Sequence, residues 1–142
     1  LILIRAGDSG MSWIFLLMAI VFAGDTSAYY VGSFWGRYKL SPAISPGKTI
    51  EGSAGGLAAN LAVGAFGKAL FFPGLPWAAS ILFFLAVGAA GQIGDLFESE
   101  MKRSSGIKDS GNILPGHGGI LDRVDALLFA SPVAYVFIRF IF

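Results

Sequence analysis

The sequence predicts an all-α integral membrane protein: a bundle of about four transmembrane helices with a large polar loop, cut from a larger polytopic protein. Three observations predict it. Hydrophobic residues make up 55% of the 142 positions and charged residues only 13%, about half the share of a soluble domain. The mean hydropathy is +0.71. The apolar residues fall into four runs, each near the roughly 17–25 residues that a helix needs to cross a bilayer. Helices are the expected form because lipid cannot satisfy an open backbone.

The first run covers residues 11–35 and is interrupted by Asp25, Thr26 and Ser27. The second, residues 53–72, is rich in Gly and Ala. The third, residues 77–97, carries Gln92 and Asp95 near its end. The fourth, residues 126–142, is the shortest. Residues 1–6 read as the tail of a further helix upstream. The chain starts at Leu1 inside an apolar run, with no basic segment of a signal peptide before it. It is therefore expected to be a C-terminal membrane domain, residues 1–142, whose upstream helices are absent. Such a piece could be inactive alone if those helices supply missing walls.

Small residues recur within the second and third runs, at Gly55, Gly56, Ala59, Gly64, Gly88, Gly91 and Gly94. They allow close helix approach, as a compact bundle or as the seam of a homodimer. There are no cysteines, which excludes disulfides, thiolate metal sites and a Cys nucleophile. The net charge of +1 gives no reason to expect nucleic acid as a partner.

The connections are unequal. Residues 73–76, PGLP, form a tight uncharged turn. Residues 37–52 and 98–125 form two long polar connections on the same side of the membrane. Seven basic residues lie on that side (Arg37, Lys39, Lys48, Lys102, Arg103, Lys108, Arg123) and three on the other (Arg5, Lys68, Arg139). The asymmetry predicts that the polar connections face the cytoplasm.

Charges at membrane depth are costly and point to function by default. Asp25 has two readings, a polar helix contact supported by Thr26, Ser27 and Tyr29, or a site group. Asp95 belongs to a stripe, Gln92, Asp95 and Glu98, on one helical face that runs into the charged connection. If that connection folds back, Asp95 and Asp122 at its two ends can converge on one hard cation. Gly116, Gly118 and Gly119 around His117 permit tight turns and bare backbone N–H groups for phosphate. Lys102, Arg103, Lys108 and Arg123 supply positive charge for an anionic substrate. Taken singly each element has an ordinary reading: His117 as a structural residue, Asp122–Arg123 as a salt bridge, Lys102–Arg103 as topology determinants.

The conjunction resembles the phosphatidate cytidylyltransferase (CDP-diacylglycerol synthase) family. Its signature is met by Ser99, Met101, Lys102, Arg103, Lys108, Asp109 and Gly111. It continues through Leu114, Pro115, His117, Gly118, Gly119, Ile120, Asp122, Arg123, Val124 and Asp125. Two further stretches agree, GDTSAYYVGSFWGR at residues 24–37 and SPGKTIEGSAGG at residues 45–56. One position departs: Gly47 stands where the family usually has Lys, beside a retained Lys48.

The resemblance implies a reaction of CTP with phosphatidic acid, giving CDP-diacylglycerol and pyrophosphate, in a multi-pass protein of the cell's inner (plasma) membrane. It implies Mg2+ held by Asp95 and Asp122, and a second, monovalent cation (K+) near the same carboxylates. It places Lys108, Arg123 and Asp125 with them as catalytic residues. Ser45, Lys48, Thr49 and Glu51 are expected on the facing wall, with Lys102, Arg103, Asp109, His117, Gly118 and Gly119 also binding substrate. The nucleophile is an ionised phosphate, so His117 is expected to bind or shape rather than accept a proton. Competing readings are a related CTP-using membrane enzyme (a polyprenol kinase or an archaeal-lipid cytidylyltransferase) and a transporter or channel subunit using Asp25 and Asp95.

Overall fold

The chain folds as an antiparallel helical bundle whose first long element is a 26-residue helix, α2, Gly10–Trp35. A short α1, Ile2–Ala6, precedes it, and α3, Ile50–Phe71, α4, Trp77–Ser104, and α5, Leu121–Phe140, follow. This computed structural model describes residues 1–106 and 121–142, the side chains of the second segment from residue 124 onward. Helices α2, α3 and α4 are long and apolar enough to cross a membrane by length and composition. Where a fourth span is expected the chain forms α5, a helix of 20 residues, which is not among the helices that qualify by length and composition among the described residues.

The structure corrects two boundaries. Residues 98–104, expected in the polar connection, continue α4. Glu98, Glu100, Met101, Lys102 and Arg103 are strong helix formers. Glu98 pairs with Lys102 one turn on, at 2.9 Å. Lys102 and Arg103 also suit the negative end of the helix dipole. At the other end of that connection, α5 begins at Leu121 rather than at residue 126.

A two-stranded antiparallel hairpin joins α2 to α3, an element the hydropathy pattern did not predict. Strand β1, Lys39–Ser41, pairs with β2, Ser45–Thr49, in the register Lys39↔Thr49 and Ser41↔Ser45. Thr49 ends the hairpin and caps α3, its hydroxyl accepting from Gly52 N at 3.1 Å.

Most of the small residues face inward. A Cβ built on Gly56 would lie 2.9 Å from Gly24 O, and Gly64 gives room to the Phe84 ring. Gly24 on α2 and Gly88 on α4 flank the side chain of Asn60 on α3. That amide is only 2% exposed, and its Oδ1 has no hydrogen-bond partner among the described residues. Packing of the three helices around it is what lets their polar ends meet. At the opposite end, Trp13 stacks on Phe72 at 4.0 Å and on Phe142 at 5.5 Å, and Phe83 meets Trp13 edge-on at 5.7 Å. Lys68, also near that end, is buried yet satisfied: Nζ donates to Pro73 O at 3.3 Å and lies 4.2 Å from the Trp77 ring centroid.

Candidate active site

The hairpin, the C-terminal half of α2, the first turn of α3 and the polar end of α4 enclose one cavity of about 430 Å³. Each wall follows from local sequence. Asp25, Ala28, Tyr29 and Gly32 present one face of α2, at helical spacing. Ser45, Gly47, Lys48 and Thr49 come from β2, and Gly52 and Ser53 from the start of α3. Gln92 and Asp95 descend from α4. Hydrogen bonds help to hold the hairpin over the cavity. Tyr38 N donates to the Glu51 carboxylate at 3.3 Å, and Arg103 Nε donates to Ile44 O at 3.4 Å.

Charge is concentrated on one side of this space. Lys48 Nζ lies 2.7 Å from Asp95 Oδ2. That ion pair joins the hairpin to α4 and is the contact of a nitrogen otherwise removed from solvent. Asp95, Glu98 and Asp125 each bring a carboxylate oxygen within 4.8 Å of the others. Asp125 arrives from α5, where its Oδ1 also accepts from Ala126 N at 2.7 Å. The approach requires Gly94: a Cβ there would lie 2.8 Å from the Asp125 carbonyl oxygen. Asp25 is close enough to Asp95 and Asp125 for repulsion and to Lys48 for attraction.

Lys48 and Lys102 each offset one of these carboxylates, Asp95 and Glu98, and a bound cation would further relieve the repulsion among Asp95, Glu98 and Asp125. An all-oxygen set of carboxylates is the donor chemistry of hard divalent cations. The residues present fit a hard cation, with Asp95, Glu98 and Asp125 able to hold it.

Of the residues expected from sequence, Asp95, Ser45, Lys48 and Thr49 meet in the cavity wall, and Asp125 joins Asp95. Glu51, Lys102 and Arg103 lie off the lining. Glu51 ties down residue 38, Lys102 pairs with Glu98, and Arg103 braces the hairpin. Lys108, Asp109, His117, Gly118 and Gly119, and the side chains of Asp122 and Arg123, lie outside the described residues. Glu98 was visible only as a member of the Gln92, Asp95, Glu98 stripe. Ser53 falls within the matching 45–56 stretch but has no sequence signal for its role, since its place opposite Gln92 depends on how α3 packs against α4.

A family model described as the cytidylyltransferase family matches residues 1–141. Among curated proteins, the chain is 44% identical over 126 residues to the phosphatidate cytidylyltransferase of Bacillus subtilis, covering 89% of this chain and 47% of that protein. It is 46% identical over 128 residues to that of Staphylococcus aureus, covering 89% and 48%. With the Synechocystis protein of the same name the identity is 44% over 131 residues, covering 92% and 44%. The chain thus spans about half the length of the curated relatives it matches. Among solved structures, an intramembrane enzyme for archaeal membrane lipids biosynthesis superposes with a TM-score of 0.66. Its identity is 24%, over 87% of this chain and 76% of that one, a likeness of fold.

Proposed function

The chain belongs to the cytidylyltransferase family, and from that premise we propose that it serves the transfer of CMP from CTP to phosphatidic acid. The products are CDP-diacylglycerol and pyrophosphate. The observation that carries this reading is the cavity where Lys48 faces Asp95, with Glu98 and Asp125 beside it, at the polar end of an apolar bundle. A soluble nucleotide can reach that end from water. A lipid phosphate can reach it from the bilayer surface.

In the proposed reaction a phosphate oxygen of phosphatidic acid forms a bond to the α-phosphorus of CTP. The bond from that phosphorus to the bridging oxygen breaks, and pyrophosphate leaves with the electron pair. The nucleophile is an anion at neutral pH, so no side chain need remove a proton. Mg2+ held by Asp95 with Asp122, or with Glu98 and Asp125, would supply charge neutralisation on the phosphates. A monovalent cation near the same carboxylates is part of the proposal. Lys48 would turn from Asp95 to a phosphate oxygen as the anions enter. Lys108 and Arg123 would orient the phosphates, with Lys102, Arg103, Asp109, His117, Gly118 and Gly119 around them. Ser45 and Thr49 would line the facing wall, and Glu51 would hold it in place.

The proposed setting is the inner membrane, with the hairpin and the polar end of α4 toward the cytoplasm, supported by the excess of basic residues at that end. The proposed partners are CTP, the acceptor lipid, the bilayer and a second copy of the chain. Ala54, Ala58 and Ala62, exposed at a helix repeat along α3, support the last by offering a smooth face for a neighbouring bundle. The mass of the purified protein in detergent checks it.

The deciding experiment uses CTP labelled on either the α- or the γ-phosphate, with phosphatidic acid, with and without Mg2+. Label from the α position should enter the lipid, and only when the metal is supplied. Transfer of the γ label alone would overturn the reaction.

Gly47 provides a second test. A Cβ built on it meets nothing within 4 Å, so a larger side chain fits at the cavity rim. Gly47→Lys is expected to lower the KM for CTP by about 2–5-fold, the worth of one exposed charge contact. Steady-state kinetics at two salt concentrations checks it, and the gain should shrink at the higher one.

A further inference from the structure

Ser53 and Gln92 face each other across the cavity wall, one from α3 and one from α4. Gln92 Nε2 donates to the backbone carbonyl of Ser53 at 3.0 Å, and Ser53 Oγ donates to Gln92 Oε1. A backbone carbonyl can only accept, so this pairing settles which end of the amide carries the nitrogen. The nitrogen has two protons, and Ser53 O takes one of them. Those two bonds are all that the Gln92 side chain makes among the described residues. The amide is thus held on both its oxygen and its nitrogen, and its second N–H has no partner among the described residues, on a side chain that lines the cavity.

Its depth says what that is. Gln92 lies three residues before Asp95 on α4, about 4.5 Å further from the polar end of the helix. On the proposed reading, Asp95 and Lys48 lie at the level of the phosphates. A nucleotide's base and sugar extend from that level toward water. The acceptor lipid extends the other way, and its first ester carbonyl follows the phosphate by a few covalent bonds, roughly one helical turn.

We propose that the Gln92 amide, oriented by Ser53, donates its second proton to an ester carbonyl of the acceptor lipid and thereby selects ester-linked over ether-linked acceptors. The inference rests on the reading of the cavity as the place where CTP meets a glycerophosphate lipid. An ether lipid has no carbonyl at that depth. It would leave the N–H unpaired in a space the lipid has emptied of water, and an unmade buried hydrogen bond is where selectivity against an analogue arises.

The test compares kcat/KM for diacyl and dialkyl phosphatidic acids of equal chain length, in mixed micelles with CTP and Mg2+. The wild-type protein should favour the diacyl acceptor by about tenfold. In Gln92→Met, which keeps the side-chain length and removes the donor, that ratio should fall to about one. If Gln92→Met does not fold, Gln92→Asn withdraws the amide by one methylene and carries the same expectation. A wild-type ratio near one, or a preference that survives in the variant, overturns the proposal. CDP-lipid formed from neither acceptor by the full-length wild-type protein overturns the proposed reaction itself, an outcome distinct from a lost preference.

Discussion

Asp95→Asn is expected to lower cytidylyl transfer by roughly 10³-fold, the scale of removing one charge that stabilises a phosphoryl transition state. The substitution keeps the shape of the side chain and does two things to the site. It takes a carboxylate from the group formed with Glu98 and Asp125, and it strands Lys48. The second effect is one of stability. Removing one partner of a partly buried ion pair should cost about 1–2 kcal/mol, less than for a fully buried pair because both side chains keep some solvent. The double variant Lys48→Met, Asp95→Asn separates the two. It should recover thermal stability in detergent while turnover of α-labelled CTP stays low. Recovery of turnover as well would reduce Asp95 to a counter-ion for Lys48. Asp122→Asn should cost as much turnover with expression intact. Near-normal activity in that variant would leave Asp95, Glu98 and Asp125 as the donor set.

Gly88→Ala is expected to destabilise the bundle by about 1–3 kcal/mol, the usual cost of overpacking a tight interior. A Cβ on Gly88 would lie 1.9 Å from Asn60 Nδ2. The amide cannot simply withdraw, because a Cβ built on Gly24, on its far side, lies 2.3 Å from Asn60 Oδ1. The side chain is clamped between two glycine backbones. In an Asn60→Ala background, therefore, the same Gly88→Ala change should cost less than about 0.5 kcal/mol. Denaturant titration of the four proteins in micelles gives the cycle, and additive effects would show that the clamp does not couple these helices. Gly24 adjoins Asp25, and Gly88 lies one turn before Gln92. Forcing the helices apart at this level should also widen the cavity above and raise the KM for lipid.

The parts of the site legible in the sequence were those with a local or chemical signature. Asp95 stood out because a carboxylate is costly inside an apolar run. Lys48 and Thr49 stood out through a motif. The Gln92, Asp95, Glu98 stripe followed from helical spacing alone, and the structure sets two of its members in the cavity wall and the third beside Asp125. The hairpin was not legible. Its residues, including Pro42, Pro46 and Gly47, carry no alternating apolar pattern, because so short a ribbon stays largely exposed and buries no apolar face of its own. The helical reach of α4 through Ser104 was hidden for a related reason. A charged segment reads as a connection by hydropathy, although its residues favour helix and pair along it.

Hydropathy and composition alone determined that this chain forms apolar helices with their polar ends on one side, because a lipid solvent leaves the backbone few choices and every residue reports its own transfer cost. Which side chains meet was decided by tertiary packing. Ser53 finds Gln92, Lys48 finds Asp95, and Asp125 reaches Asp95 and Glu98 only because glycines at 24, 88 and 94 let neighbouring helices close to within backbone contact. Contacts between residues dozens of positions apart depend on the rotation and spacing of whole helices, which no local stretch of sequence encodes.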